Sequence, residues 1–158
     1  MANQRGSTLI EVLVALLVMS IGLLGAAAIQ LNALKFTDSS SLRTKASFIA
    51  YDMMDRIRAN PDGAYGLANL AAAPTTSNLA APATQDLFDF NSNISAANLP
   101  SPQASITKNG YIYTILIRWS DARAASAVNS QNTANSNDAA TQTFTLTSRV
   151  AMDAVAAP

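Results

Sequence analysis

One acidic side chain lies within an otherwise apolar stretch near the start of the chain, and its chemistry needs an explanation. Glu11 is the one charged residue between Leu9 and Ile29. A charged side chain inside a bilayer costs roughly 2.5–3.5 kcal/mol on insertion scales, so its presence there indicates a function. Arg5 is six residues away, whereas a helix brings together residues three or four apart, so Arg5 is a poor partner within one helix.

A cut in the chain after Gly6 would supply a better partner. The new α-amine at Ser7 would then lie four residues before Glu11. Ammonium and carboxylate could pair along one helix, or between neighbouring helices packed side by side. Such a pair would specify how helices stack, because an unpaired buried carboxylate is expensive.

The apolar run that follows Glu11 predicts a membrane-spanning helix. Val12–Ile29 is an apolar run of 18 residues without a charge or an amide side chain, which as a helix spans ~27 Å of a bilayer core of ~30 Å. Ala26-Ala27-Ala28 imitates a signal-peptidase site, but the helical pattern continues beyond it. The simplest alternative is a signal anchor that keeps Arg5 in the cytoplasm.

Residues 5–18, R-G-S-T-L-I-E-V-L-V-A-L-L-V, resemble the class III signal of type IV prepilins and type II secretion pseudopilins. The resemblance implies that residues 1–6 are a leader, which a prepilin peptidase removes between Gly6 and Ser7 before the Ser7 amine is methylated. It implies that Glu11 pairs with a neighbour's N-terminus during assembly. It also implies an inner-membrane protein with its head in the periplasm, and an extracellular pilus after assembly.

Two positions depart from the pattern of that superfamily. Ser7 stands where Phe or Met is usual, and Ala28 stands where major pilins usually carry Pro. Gly22 and Gly25 could supply the flexibility that Pro would give, or they could let another helix approach closely. The sequence leaves these two roles of the glycines open.

The apolar pattern continues beyond the membrane-length run as an amphipathic helix. We divide the predicted helix into a transmembrane and assembly half, residues 7–30, and an amphipathic half, residues 31–60. The turn signal Asn60-Pro61-Asp62-Gly63 ends it. Spacings of three and four residues define one stripe for burial, formed by Leu31, Leu34, Leu42, Ala46, Ile49, Met53 and Ile57.

Charged residues on the same half are spaced for ion pairs and not for catalysis. Asp52 precedes Arg56 by four residues, and Asp55 precedes Arg58 by three. Nearby arginines keep both carboxylates ionised, so we interpret them as a solvated face and not as an acid–base pair. His and Cys are both absent from the sequence. We therefore predict no enzyme, no catalytic residues and no cofactor.

A calcium loop is the one metal site that the sequence suggests, and it fails on inspection. Asp89, Asn91 and Asn93 match the start of the calcium-loop pattern, but Ile94 replaces its glycine and Pro100 its final glutamate. We predict no metal site.

The end of the predicted helix resembles one particular family within that superfamily. Residues 47–61, S-F-I-A-Y-D-M-M-D-R-I-R-A-N-P, resemble the corresponding stretch of the PilV family of minor pilins, the type IV pilus modification proteins. I-G-L-L-G at 21–25 and Q-L-N-A-L at 30–34 also fit that family. Minor pseudopilins of the GspI type share L-I-E-V-L-V-A-L but usually lack the D-R-I-R-A-N-P ending.

The resemblance implies a minor pilin that helps to prime or modify a type IV pilus, so that twitching motility, adhesion and DNA uptake depend on it indirectly. Its expected partners are the prepilin peptidase, the major pilin and other minor pilins, with a tip adhesin as a further candidate. The alternatives are a type II secretion pseudopilin and a single-pass, membrane-anchored binding ectodomain.

Residues 61–158 predict a small antiparallel β head, which makes the fold class α+β and type IV pilin-like. Low complexity predicts loops over 64–108 and 122–140. Alternation predicts two strands, and a third or fourth is expected because two strands alone are marginal. The first strand's inner face is Tyr111, Tyr113, Ile115, Ile117 and Trp119. The second strand's inner face is Phe144, Leu146, Val150 and Met152, opposite Thr143, Thr145, Thr147 and Arg149.

Two features of the head could bind a ligand. The aromatic row Tyr111-Tyr113-Trp119 could be a ligand platform, but packing on the helix is the favoured interpretation. A nucleic-acid interface would need a basic stripe, and the formal net charge is +0. The candidate cations share no periodicity, so no direct contact with nucleic acid is expected; they are Lys108, Arg118, Arg123 and Arg149.

Overall fold

The computed structural model describes residues 8–121 and 141–150. The elements are α1 (Leu9–Ala59), a 3₁₀ turn (Leu70–Ala72), α2 (Pro82–Ala96), β1 (Gln103–Asn109), β2 (Ile112–Ser120) and β3 (Thr141–Arg149). A long N-terminal helix and a small antiparallel sheet confirm the predicted α+β class. The predicted leader 1–6, Ser7, the predicted loop 122–140 and Met152 lie outside the described residues.

The chain forms two compact units, one ending at Thr37 and the other beginning at Asp38. None of the described residues of the first unit is buried. Leu31 and Leu34, with exposed fractions of 61% and 63%, therefore do not belong to the buried stripe that the sequence predicted. The rest of the predicted stripe is buried in the second unit, together with Ala50 and Met54; these residues of α1 are Leu42, Ala46, Ile49, Ala50, Met53, Met54 and Ile57.

The sheet has three strands in the order β1-β2-β3, with both pairs antiparallel. Asn109 pairs with Ile112, which leaves Gly110 and Tyr111 as a two-residue turn. Gly110 has a φ of +60°, which suits the first central position of a type II′ turn. Tyr111 is thus half exposed in the turn, so its predicted place on the inner face of the strand is wrong.

The central strand β2 supplies the apolar layer that faces α1. The remaining predicted inner residues of this strand are buried, and they are Tyr113, Ile115, Ile117 and Trp119. On β3, Phe144 and Leu146 are half-buried, whereas Thr143, Thr145 and Thr147 are exposed. The predicted alternation of both strands is therefore confirmed over their described residues, except at Tyr111.

The reading of 64–108 as loop is wrong over much of its length, because it contains α2 and β1. α2 begins at Pro82, which suits the first turn of a helix because proline has no amide hydrogen to leave unpaired. Its three buried residues, Leu87, Phe90 and Ile94, have helical spacing. These three residues are outnumbered by polar and small residues, so the composition of the segment does not reveal the helix. Asp89, Asn91 and Asn93 lie on this helix and not in a calcium-binding loop.

Arg56 bonds three carboxylates, and two of them, Asp86 and Asp89, join α1 to α2. Its Nε donates to Asp52 Oδ2 at 3.0 Å, and its Nη1 donates to Asp86 Oδ1 at 3.0 Å and to Asp89 Oδ2 at 2.9 Å. Burial alone would lower the pKa of Arg56, but the hydrogen bonds that it donates to Asp86 and Asp89 and the charge of Asp52 raise it above its usual value. The predicted i,i+4 pair with Asp52 is confirmed, and the two contacts to α2 were not foreseen.

Tyr65 extends this network into the core. Its buried hydroxyl donates to Asp86 Oδ2 at 2.7 Å and accepts from Asn60 Nδ2 at 3.2 Å. Burial, and then the hydrogen bond to the Asp86 carboxylate, raise the pKa of Tyr65 to about 12. Asn60, Tyr65 and Arg56 thus tie the turn after α1 to the first half of α2.

Lys45 holds the other end of α2. Its Nζ donates to the carbonyl of Ala97 at 3.2 Å, where a cation also interacts favourably with the negative end of the helix dipole. Arg56 contacts Asp86 near the start of α2, whereas Lys45 contacts its end, so α2 runs antiparallel to α1.

Replacing Arg56 tests whether its bonds to Asp86 and Asp89 dock α2 on α1. Arg56→Gln should lower the free energy of unfolding by about 1–3 kcal/mol, because Asp86 and Asp89 lose their charged donor in a half-buried site. Arg58→Gln is the matched control, with an expected loss below about 1 kcal/mol because its partner Asp55 is exposed. Equal losses in thermal unfolding of the two variants would contradict the docking role.

The raised pKa of Tyr65 predicts that the folded chain loses stability at alkaline pH. Its pKa is raised from 10.0 to about 12 in the folded chain, so folding favours the neutral hydroxyl. This stabilisation is complete below pH 10.0 and is lost as the pH rises towards about 12. Tyr65→Phe should be less stable than the parent near neutral pH, and the difference should shrink in that alkaline window. A difference independent of pH, measured by denaturant unfolding, would contradict this.

Candidate assembly site

The first turn of α1 places Glu11 at the start of the helix. The carbonyl of Thr8 accepts hydrogen bonds from the amides of Glu11 at 3.0 Å and Val12 at 3.3 Å, and the helix begins at Leu9. A carboxylate in the first turn interacts favourably with the positive end of the helix dipole. Thr8 and Glu11 also have the spacing of a capping box. T-L-I-E carries this signal in the sequence, although Thr8 was not among the predicted site residues.

The surface around Glu11 is apolar on every side of the helix. The helix α1 is long and apolar enough to cross a membrane, and its most apolar stretch is not buried among the described residues. A surface of this extent requires a cover of lipid or of other apolar helices. The exposed large side chains are Leu9, Ile10, Val12, Leu13, Val14, Leu16, Leu17, Val18, Met19, Ile21, Leu23, Leu24 and Ile29.

Ser20 is the one polar side chain within Val12–Ile29, and it is bonded within the helix. Ser20 Oγ donates to the carbonyl of Leu16 at 2.7 Å, so its hydroxyl needs no water. Gly22 and Gly25 have no other atom within 4 Å of the position that a Cβ would take. Packing within the described chain therefore does not explain these glycines, and flexibility and close approach of another helix remain as explanations.

Gly6 and Ser7 lie outside the described residues, so the cleavage and the pairing of a new amine with Glu11 stay predictions. The side chain of Glu11 is exposed.

The carboxylates that the sequence offered for acid–base chemistry form ion pairs instead. Asp52 pairs with Arg56 at 3.0 Å and Asp55 with Arg58 at 2.7 Å, as predicted for a solvated face. Over residues 8–121 and 141–150 no cluster of three or more acidic, His or Cys side chains could hold a metal ion.

The aromatic row does not form a platform. Tyr113 and Trp119 are buried in the core, so the packing interpretation is confirmed for them, and Tyr111 lies apart in the turn. Lys108 Nζ lies 5.2 Å from the centre of the Tyr113 ring, and this neighbour raises the pKa of Lys108.

The candidate cations of the head do not line up. Arg118 lies on the outer face of β2, in the row of Gln103 and Thr143. Arg149 pairs with Ile112, three rows along the same face, which is about 20 Å away. Arg123 lies outside the described residues.

Comparison with models of protein families finds two matches, which follow one another along the chain. Residues 1–27 match the prokaryotic N-terminal methylation motif, and residues 28–97 match the family described as type IV pilin Tt1218. Searches of curated proteins and of solved structures gave no significant match. The pilin match ends at Ala97, the C-cap of α2, so the sheet lies outside both matches.

The two matches support a type IV pilin that is part of a pilus-type assembly. Type IV pilins are structural and not enzymatic proteins. The methylation motif implies processing by a prepilin peptidase and assembly with other pilins. With the apolar helix, it suggests anchoring in a membrane and assembly into a pilus. The long apolar helix and the small sheet have the arrangement of a type IV pilin.

Substitutions of Gly22 can separate the two roles left for the helix glycines. Gly22→Ala and Gly22→Leu both remove the backbone freedom of glycine, but only leucine blocks close approach of another helix. We expect alanine to preserve assembly and leucine to reduce it, with equal membrane insertion because an added side chain meets nothing in the chain. Quantitative blots of sheared filaments measure this. Equal loss in both variants would favour flexibility instead.

Proposed function

We propose that the chain is a minor pilin of the PilV type, which enters a type IV pilus and helps to prime or modify it. The supporting observation is the run of exposed apolar side chains on α1, with Glu11 in its first turn, within the N-terminal methylation motif. The D-R-I-R-A-N-P segment favours the PilV type. Its residues Arg56 and Asn60 contribute to the network that docks α2 on α1.

In the proposed mechanism the unprocessed chain waits in the inner membrane, with its head, residues 61–158, in the periplasm. The prepilin peptidase hydrolyses the peptide bond between Gly6 and Ser7, and the new Ser7 amine is methylated. The apolar half of α1 then exchanges lipid for the helices of other pilins. This exchange is feasible because lipid tails and a bundle of apolar helices solvate the same side chains about equally well.

Glu11 fixes the stagger between subunits in this mechanism. A carboxylate that moves into an apolar bundle must find a cation, because burying it unpaired is expensive. The N-terminal ammonium of a neighbouring subunit is a suitable partner. Subunits that stack in another register bury the charge without that partner and are disfavoured.

A minor pseudopilin of a type II secretion system is the second candidate. The segment L-I-E-V-L-V-A-L at 9–16 fits both systems, and the physics of assembly is the same. The two candidates differ in the filament that contains the protein, namely sheared pili or secretion fibres.

Replacing Glu11 tests the pairing. Glu11→Gln and Glu11→Val should leave cleavage largely intact but reduce the protein in sheared filaments at least ~10-fold, since both remove the charge that pairs with the amine. Mass spectrometry of the mature N-terminus measures processing, and quantitative blotting of filaments measures assembly. Normal incorporation of Glu11→Gln would show that charge pairing does not direct assembly.

Gly6→Val is the control that separates processing from assembly. It should retain residues 1–6 on the chain and leave the protein in the membrane. If the parent protein itself keeps its first six residues in cells and is absent from pili and secretion fibres, the chain is an anchored ectodomain and the proposed function is wrong.

A further inference from the structure

The two edges of the sheet differ in what lies beside them. At the β1 edge, Leu67 exchanges two backbone hydrogen bonds with Ile106, at 2.9 and 2.8 Å. At the other edge, β3 pairs with β2 alone among residues 8–121 and 141–150. β3 is nine residues long, and a strand edge of that length is a template for another strand.

The backbone of β3 presents its hydrogen-bonding groups at defined positions. The amide of Val150 donates to the carbonyl of Tyr111 at 3.0 Å, on the side of β2. Because these directions alternate along an antiparallel strand, the N–H and C=O groups of Thr143, Thr145 and Thr147 point away from β2. The segment 141–148 contains no proline, glycine or charge, which are the devices that commonly protect an edge.

An uncovered apolar surface lies beside the same edge. The rings of Tyr51 on α1 and Phe144 on β3 meet edge to face, with centroids 6.4 Å apart. Tyr51 is 52% exposed, and Phe48, one turn earlier on α1, is 70% exposed. We call Phe48, Tyr51 and Phe144 the aromatic flank.

The sheet itself is incompletely covered on this side. Phe144 and Leu146 are only half-buried, although their partners on β2, Ile117 and Ile115, are fully buried. A further strand beside β3 would place side chains over both the aromatic flank and the inner face of β3.

We propose that the β3 edge and the aromatic flank form a docking surface for an extended segment of a second, unlike pilin subunit. The inference rests on the proposed function. The partner segment is uncharged where it pairs with residues 141–148, because a charge buried there would have no counter-ion. Its alternate side chains are apolar on the side of α1, and its backbone completes the hydrogen bonds of Thr143, Thr145 and Thr147.

A second copy of this chain fits the surface poorly. The contacts of Tyr51 with Phe144 and of Arg58 with Ser148 show that α1 and β3 run in the same direction. Two β3 strands paired antiparallel would therefore reverse one α1 relative to the other. Subunits that follow one another with the same polarity along a filament, however, cannot be related by such a reversal.

The other arrangements of two copies are also unfavourable. A parallel pairing of two β3 strands about a two-fold axis would set the threonine face of one sheet beside the aromatic flank of the other. If the β3 edge of one copy paired with β1 of a neighbour, it would meet Leu67. Leu67 already pairs with Ile106 on the outer side of β1. An unlike subunit is not subject to these constraints.

Site-specific photo-crosslinking in living cells tests the proposal. Thr147 is replaced by p-benzoylphenylalanine in the full chain, with Thr107 as the matched position because both lie in one row of the sheet, on opposite edge strands. We expect Thr147, and not Thr107, to form an adduct with another pilin subunit. Peptide mapping should place the crosslink in an extended uncharged segment.

A proline substitution tests whether the backbone edge makes the contact. Thr145→Pro removes one outward N–H without breaking the ladder with β2, and should reduce the Thr147 adduct about tenfold or more, because a carbonyl of the partner is left unpaired. Thr145→Val keeps the N–H and should retain the adduct. Circular dichroism and thermal unfolding confirm that both variants fold.

Four outcomes would overturn the inference. They are no adduct, an adduct within the same chain, an adduct between two copies of the chain, or an adduct that Thr145→Pro leaves unchanged. If any of these occurs while the protein is still processed and present in sheared pili, the docking surface is wrong and the proposed function stands. Absence from pili with an intact leader refutes the function itself.

Discussion

The apolar surface of the first half of α1 cannot remain in water, and the rest of the molecule depends on this constraint. Side chains from Leu9 to Ile29 project all round the helix, and none is covered by the described chain. Lipid is one suitable cover, and a bundle of similar helices is another. Because both solvate the helix alike, the proposed transfer from lipid to a bundle of helices costs little free energy, and Glu11 is the residue that we propose sets how the helices align.

The second unit forms an ordered head although it contains few large apolar residues. Its core combines the buried stripe of α1 with β2, and α2 is added by polar contacts as much as by apolar ones. Arg56 bonds three carboxylates, and Tyr65 and Asn60 extend that network. Segments rich in Ala, Asn and Ser can therefore be ordered here, because charged hydrogen bonds supplement a small apolar area.

Among the described residues, the β1 edge of the sheet is paired and the β3 edge is not, and this asymmetry follows from the chain order. Leu67 comes between the helices and reaches the β1 edge, whereas β3 is the last described strand and pairs with β2 alone in the described chain. The same asymmetry leaves the aromatic flank exposed. An assembly that joins heads as well as helices would use a surface of this kind, since it adds directional hydrogen bonds to a non-directional apolar contact.

The sequence by itself determined the features that depend on local pattern. Charge, hydropathy and spacing identified the apolar helix, Glu11, the amphipathic stripe from Leu42 to Ile57, the Asp52–Arg56 pair, and the alternation of β2 and β3. These rest on short-range periodicity, which a sequence displays directly. Only the tertiary structure decided that α2 and β1 form within a low-complexity stretch, that Tyr111 lies in a turn, and that Arg56 reaches Asp86 and Asp89. The contacts of Arg56 join residues 30 and 33 positions apart, and such contacts leave no periodic trace in a single sequence.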